Sequence, residues 1–180
     1  IVAGALSVGI GFGLQSIVNN FVSGLILLVE RPIKVGDRVT IAGQEGYVRR
    51  ISVRATEVET FDRSSVIVPN SELISQTVTN WTHRNALGRA LITVTASYKS
   101  DPEHVRDVLL RVASECPMVL QHPAPAVGFD NFGPNGFEFI LIGVVADVND
   151  VWGTRSDLRY RVFKAFKAEG LHTCIDTSLY

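Results

Sequence analysis

The sequence predicts a mixed fold: a long transmembrane helix with a kink, then a small β-barrel domain, then an α/β sandwich. Three observations carry this reading. Residues 1–29 contain no Asp, Glu, Lys, Arg or His, so all 17 basic and 18 acidic residues of the 180-residue chain lie beyond them. Residues 33–82 alternate with period two between tight-turn residues, the pattern of short half-buried strands. From residue 91 onward, strand-like and helix-like stretches take turns, as in an α/β unit.

The charge-free run has the composition of a membrane segment. As an α-helix it extends about 43 Å, longer than the ~30 Å hydrocarbon core of a bilayer, so it must bend, tilt or protrude. Gly4, Gly9, Gly11, Gly13 and Gly24 join Ala3, Ala5, Ser7, Ser16 and Ser23 in making it rich in small residues, which let helices approach closely in lipid. Val8 and Phe12 stand four apart and share one face, while Gly4, Ser7 and Gly11 occupy neighbouring positions on another. Such a helix is built to pack. Gln15-Ser16 and then Asn19-Asn20 are costly in mid-membrane but suit an interface or a watery surface, so a bend is expected near Ser16. Residues 17–29 are expected to lie flat as an amphipathic helix, its apolar surface supplied by Phe21, Val22, Leu25, Ile26, Leu28 and Val29. Arg31-Pro32 ends the helix, because a residue before proline is pushed out of the right-handed helical region.

Strands are expected at residues 37–41, 45–52, 53–60 and 65–68, punctuated by Ala42-Gly43 and Asp62-Arg63-Ser64. Pro69-Asn70 closes the last of them, and Asn70 is expected to cap a single turn containing Glu72 and Leu73. In the α/β part, 91–97 reads as a strand and Asp101-Pro102 opens a helix to about Glu115. Strands follow at 126–132 and 136–145 around the Gly133-Pro134-Asn135-Gly136 turn, then a helix from about Val151 to Ala168 with Gly170 beyond it. The expected divisions are 1–29 for the membrane and interfacial helix, 30–90 for the β domain, 91–170 for the α/β domain, and an atypical tail at 171–180.

The net charge of −1 argues against a nucleic-acid-binding body, which needs a basic surface. Arg49, Arg50 and Arg54 have no interleaved stacking aromatics and read as solvent-facing strand positions or interface partners. Cys116 and Cys174 match no metal or redox spacing and are expected reduced and buried, as in a cytoplasmic compartment. His83, His104, His122 and His172 are scattered and suit surface or capping roles. No catalytic, metal or cofactor motif is present, so no enzyme, metal or cofactor is expected. Val8-Gly9-Ile10-Gly11-Phe12-Gly13, with Glu30 further on, imitates a dinucleotide-binding fingerprint, but position 14 is Leu and short strands rather than βαβ units follow. The sequence begins at Ile1 without a basic n-region, which reads as a fragment rather than a signal peptide. Arg31, Lys34 and Arg38 just beyond the apolar run place the body in the cytoplasm by the positive-inside rule.

Three blocks, Gly11 to Gly24 (GFGLQSIVNNFVSG), Glu30 to Asp37 (ERPIKVGD) and Val66 to Ser71 (VIVPNS), resemble the small-conductance mechanosensitive channels of bacteria, the MscS-like family, in order and spacing. The resemblance covers about residues 1–170. It implies a heptamer in the bacterial inner membrane, multi-pass in the full-length protein, whose third transmembrane helix lines a pore above a cytoplasmic vestibule. A β domain of Sm-like or SH3-like type and a ferredoxin-like α/β domain would enclose that vestibule. On this chain the resemblance puts the pore gate at Val8 and Phe12, with Gly4, Ser7 and Gly11 facing the adjacent pore helix and the kink at Gln15 and Ser16. Ser16 stands where glycine is frequent, Phe12 where leucine is expected, and the tail lacks the proline-bearing lead into a C-terminal barrel. The implied function is a tension-gated channel passing ions and small osmolytes during hypo-osmotic shock, with membrane lipid and identical subunits as partners. The alternative class is a membrane-anchored module that docks a cytoplasmic partner, which requires no ring of identical copies.

Overall fold

The computed structural model describes the backbone of residues 2–172 and the side chains of residues 10–172. The side chains of Gly4, Ser7 and Val8, and Cys174 with the rest of the tail beyond His172, lie outside the described residues. The chain divides into two compact units, Ile1–Asn85 and Ala86–Tyr180.

In the first unit, α1 (Val2–Glu30) is one helix of 29 residues. It stops at Arg31, whose φ of 51° leaves the right-handed helical region ahead of Pro32. Strands β1 (Arg38–Ile41), β2 (Gln44–Ile51), β3 (Ala55–Thr60) and β4 (Ser65–Pro69) follow, then α2 (Asn70–Ser75) and the two-residue β5 (Thr79–Asn80). They form one antiparallel sheet in the order β4-β3-β2-β1-β5. Its first hairpin turns at Ala42-Gly43, both with positive φ (49° and 81°), as the tight two-residue turn matching strand twist requires. Pro69 does not interrupt β4: it pairs with Ala55 on the edge of the sheet, where a missing N–H costs no ladder bond. Val39, Ile41, Val48, Val58 and Val68 alternate inward and meet Ile33, Leu73 and Leu27 of α1 in one core. The β domain thus closes its core with a residue of the apolar helix.

In the second unit, β6 (Gly88–Ala96), α3 (Pro102–Ser114), β7 (Ala126–Gly133), β8 (Gly136–Val145), a 3-10 turn (Val148–Asp150) and α4 (Val151–Ala168) follow in order. The sheet order β6-β8-β7 is antiparallel throughout, so β6 and β7 run parallel with β8 between them, a split βαβ arrangement. Both helices cover one face, on a core that includes Ile92, Leu109, Phe139, Leu141, Leu158 and Phe166. Asp101 caps α3 by accepting from Glu103 N at 3.1 Å, with Pro102 in the first turn. Gly88 is required by packing, since a Cβ there would collide with Val151 and Val148.

The expected role of Asn70 is corrected. The residue preceding α2 is Pro69, which cannot cap by side chain, and Asn70 is the first helical residue, fully buried. Its amide is committed to tertiary bonds instead.

Candidate functional site

Helix α1 shows an unusual division of faces. Asn20, Ser23, Gly24 and Leu27 recur at the helical spacing i, i+3, i+4, i+7 and form the half-buried or buried stripe, whereas nearly all of its large apolar side chains point outward. Phe21, Val22, Leu25, Leu28 and Val29 are exposed and Ile26 is half-buried. A soluble amphipathic helix hides its apolar face; here the small and polar stripe is hidden and the apolar surface is left for another environment. Among the described residues this is the one helix long and apolar enough to cross a membrane, over Ile10–Glu30 with a mean hydropathy of 1.6.

Phe12 is 73% exposed, standing clear of the rest of its unit. A Cβ at Gly11 or Gly13 would meet nothing within 4 Å, so the small residues of this stretch leave a free surface rather than an intrachain contact. The helix runs without interruption through Gln15 and Ser16. At that point the Asn20 side chain Nδ2 donates to Ser16 O at 2.9 Å, adding a second donor to the carbonyl that the helical ladder already uses.

One helical turn further on, α1 is fastened to the β domain by a polar clasp. Asn20 Oδ1 accepts from both the backbone N and the Oγ of Ser71, each at 3.0 Å. Gly24 sits so close that a Cβ would lie 2.5 Å from Val53 O and 2.6 Å from Asn70 Nδ2. Asn70 in turn donates to Ser52 O (2.9 Å) and Val53 O (3.1 Å) and accepts from Thr56 Oγ1 (2.9 Å). Asn70 and Thr56 are both fully buried, so each of these bonds satisfies a group that would otherwise cost about 1–3 kcal/mol. One amide therefore welds the β2–β3 turn to the start of α2 directly beneath the helix.

The segment leaving α1 is pinned as well. Asp37 accepts from Lys34 N (2.9 Å), Asn80 Nδ2 (2.7 Å) and Thr82 Oγ1 (3.3 Å), while Asn80 Nδ2 also donates to Pro32 O at 3.1 Å. Gly36, at a φ of 95°, adopts the left-handed region and donates its N–H to Val48 O at 2.8 Å. With Leu27 in the core, the clasp and this linker make the lower part of α1 and the β domain one mechanical piece.

Open clefts flank the clasp. One of about 510 Å³ lies between Ile17, Val18 and Phe21 of the helix and Ser52, Val53 and Arg54 of the β2–β3 turn. A second, about 400 Å³, lies beside Ser16, Asn20, Ala55, Ile67 and Pro69.

Sequence reasoning placed Val8, Phe12, Gly4, Ser7 and Gly11 on this helix, but the described side chains bring only Phe12 and Gly11 to a free surface. It missed the Asn20–Ser71 and Gly24–Asn70 contacts, whose signal was two amide residues in an apolar run. The three arginines are solvent-facing: Arg49 pairs with Glu59 (2.5 Å) and Arg50 with Glu57 (3.7 Å) across β2 and β3, and Arg54 is exposed on the turn. Cys116 is buried, and burial pushes its thiol pKa up, an unreactive setting. All four histidines are exposed; His104 lies 3.4 Å from Glu169.

A long apolar helix clasped to a five-stranded β domain, followed by a split βαβ unit, defines a membrane protein with a two-part folded body. The sequence matches the family description "mechanosensitive ion channel, beta-domain" over residues 16–83 and "mechanosensitive ion channel MscS, C-terminal" over residues 90–173. The chain belongs to the MscS family of mechanosensitive ion channels. It is 45% identical over 148 residues to the mechanosensitive channel MscK of Escherichia coli, covering 82% of this chain and 13% of that protein. It is 36% identical to the miniconductance mechanosensitive channel MscM of the same organism, covering 93% of this chain and 15% of that protein. An MscS family protein of Haemophilus influenzae is 45% identical over 90% of this chain and 15% of its own length. The chain therefore spans about an eighth to a seventh of the length of these curated relatives. The closed-state structure of Helicobacter pylori MscS shares the fold, with a TM-score of 0.89 at 22% identity over 96% of this chain and 68% of that one.

Proposed function

We propose that this chain is the pore-helix and cytoplasmic portion of a subunit of a tension-gated channel. It passes ions and small osmolytes across the bacterial inner membrane during hypo-osmotic shock. The observation that carries this reading is the inverted helix: α1 turns its small and polar stripe to its own β domain and leaves an apolar, charge-free surface outward, with Phe12 73% exposed. In a ring of identical copies, heptameric by family resemblance, that surface faces neighbouring helices, lipid and the pore axis.

Val8 and Phe12 then form two apolar rings one helical turn apart. Such rings close a pore by dewetting, without filling it. Gly4, Ser7 and Gly11 are the surface against which the adjacent pore helix packs; the open space at Gly11 supports this. In the assembled channel we assign the bend to Gln15 and Ser16, where the Asn20 amide adds a second donor to the Ser16 carbonyl; in the single chain the helix runs on through both residues. Residues above the bend line the pore; those below it lie along the membrane interface, with Phe21, Val22, Leu25, Leu28 and Val29 turned outward and Asn20, Gly24 and Leu27 holding them to the β domain. The clefts beside Ile17 and Asn20 are where lipid or a neighbouring subunit's helices fit. Membrane tension favours the state of larger in-plane area, in which the upper helices tilt and the rings separate. Tension acts only through that difference between states.

The test is patch-clamp recording of the intact protein in a membrane lacking other tension-gated channels. Discrete currents that appear with suction are expected. Silence up to rupture, with the protein confirmed in the patch, returns the reading to a membrane-anchored docking module.

A further inference from the structure

A further cavity, of about 290 Å³, lies at the foot of α1 inside the first unit. Its walls are apolar and come from Leu27, Leu28, Ile33, Val35 and Ile51. Two cations, Arg31 and Lys34, complete the lining. Leu27 and Ile33 are buried and make the floor, whereas Leu28, Val35 and both cations are exposed and make the rim.

The chain brings the two charges together by turning back at the end of the helix. Arg31 leaves the right-handed region at a φ of 51°, and the linker beyond it is pinned where Asp37 accepts from Lys34 N at 2.9 Å and Asn80 donates to Pro32 O at 3.1 Å. Arg31 Nε donates to Leu28 O at 3.3 Å, so the fork is held by its stem while its terminal nitrogens face the rim. Among the described residues neither Arg31 nor Lys34 is in an ion pair. The linker's carboxylate, Asp37, also accepts from Asn80 and Thr82, and Glu30 does not line the cavity.

Two unpaired cations over an apolar pocket complement an amphiphilic anion. An inorganic phosphate would meet the cations but leave the apolar walls against water, and an acidic helix, about 10 Å across, is too wide to enter. A phospholipid satisfies both parts: its phosphodiester accepts from the planar guanidinium fork and the ammonium, and its glycerol and first acyl carbons cover the walls. The location agrees, because Leu28 belongs both to the cavity wall and to the outward apolar surface of α1. The pocket thus opens beside the surface that the helix offers to a membrane interface. We propose that this cavity binds an anionic phospholipid of the cytoplasmic leaflet, with its phosphate between Arg31 and Lys34 and its first carbons against Leu28, Val35 and Ile51. This rests on the membrane reading of α1 given above, and adds the lipid class and the residues that select it. The bound lipid fastens the junction of helix and β domain to the leaflet.

The test uses the intact protein in nanodiscs of phosphatidylcholine with a minority of phosphatidylglycerol, and counts the lipid retained per subunit by native mass spectrometry. The wild type is expected to keep phosphatidylglycerol in preference to phosphatidylcholine. Arg31→Gln with Lys34→Gln should lower the retained phosphatidylglycerol about tenfold and leave phosphatidylcholine unchanged. Val35→Glu keeps both cations but sets an anion on the rim, and should give the same loss by an independent route. Arg159→Gln with Lys167→Gln removes equal charge from exposed positions on α4 and should change nothing. Undiminished phosphatidylglycerol in the Arg31 and Lys34 variant overturns the proposal. So does an equal loss in the α4 variant, which would reduce the preference to net charge. Displacement of the lipid by millimolar inorganic phosphate overturns it in favour of a free-anion site. Retained lipid in a protein that stays silent under suction upholds this site while the channel reading falls, and a protein that does not enter the bilayer overturns both.

Discussion

Gly24→Ala should loosen the clasp between α1 and the β domain, and the structure gives the size of the effect. The new Cβ would stand 2.5 Å from Val53 O and 2.6 Å from Asn70 Nδ2, about 1 Å inside ordinary contact. The neighbours are a backbone carbonyl and a buried amide that donates to Ser52 O and Val53 O, so neither gives way without losing a bond. Overpacking of this kind costs about 1–3 kcal/mol. Alanine also favours the helix by about 1 kcal/mol over glycine, which would mask part of the loss. Gly13→Ala removes that ambiguity: it makes the same exchange in the same helix where a Cβ meets nothing within 4 Å. The difference between the two variants isolates the clash. The readout is hydrogen exchange at the Ser71 amide, which donates to Asn20 Oδ1 and so reports undocking of the helix. Exchange should speed up by about fivefold to a hundredfold in Gly24→Ala relative to Gly13→Ala, at 1.4 kcal/mol per tenfold. Equal exchange in the two variants would refute the close approach as the basis of the clasp.

Asn70→Ala should be more damaging to the β domain than its single position suggests. It strands the buried Thr56 hydroxyl and frees the Ser52 and Val53 carbonyls, a loss of about 2–4 kcal/mol in denaturant unfolding, and Asn70→Ser should recover little of it. Acid should loosen the end of α4. The hydrogen bond from the Arg111 guanidinium holds the Glu169 carboxyl below the usual carboxylate range. The tie is therefore fully formed above that range and is lost as pH falls through the lowered value. Protection of amides near residue 168, taken against the exchange of an unfolded chain at the same pH, should fall as the medium is acidified through that lowered value in the wild type, and Glu169→Gln should flatten that fall.

Much of the fold was legible because its signals are local. Residues 136–145 are an almost continuous apolar run after the Gly133–Gly136 turn, residues 151–168 set Leu158, Val162 and Phe166 at helical spacing ahead of Gly170, and the expected strand and helix match the observed bounds. Strand β5, Thr79–Asn80, is too short to leave a periodic trace and exists only through its pairing with β1. Val53, expected in a strand, is exposed on the β2–β3 turn, where its carbonyl serves Asn70. The polar residues of α1 were readable as foreign to a bilayer, yet the partner of Asn20 lies 51 positions away at Ser71, a relation that no local pattern encodes. Asn70 illustrates the same limit: next to a proline it has the form of a helix cap, and only the folded β2–β3 turn shows where its amide goes.

The most direct test of the gate is the tension threshold of Phe12→Ser in the intact channel. Phe12 is 73% exposed on the single chain, and in the proposed ring it meets the Phe12 side chains of the neighbouring copies. Losing that apolar contact removes on the order of 1.5–3 kcal/mol per subunit from the closed state and lets water into the constriction. The account predicts opening at markedly lower suction than the wild type. A Phe12→Ser channel that opens at the wild-type threshold would contradict the account and remove Phe12 from the gate.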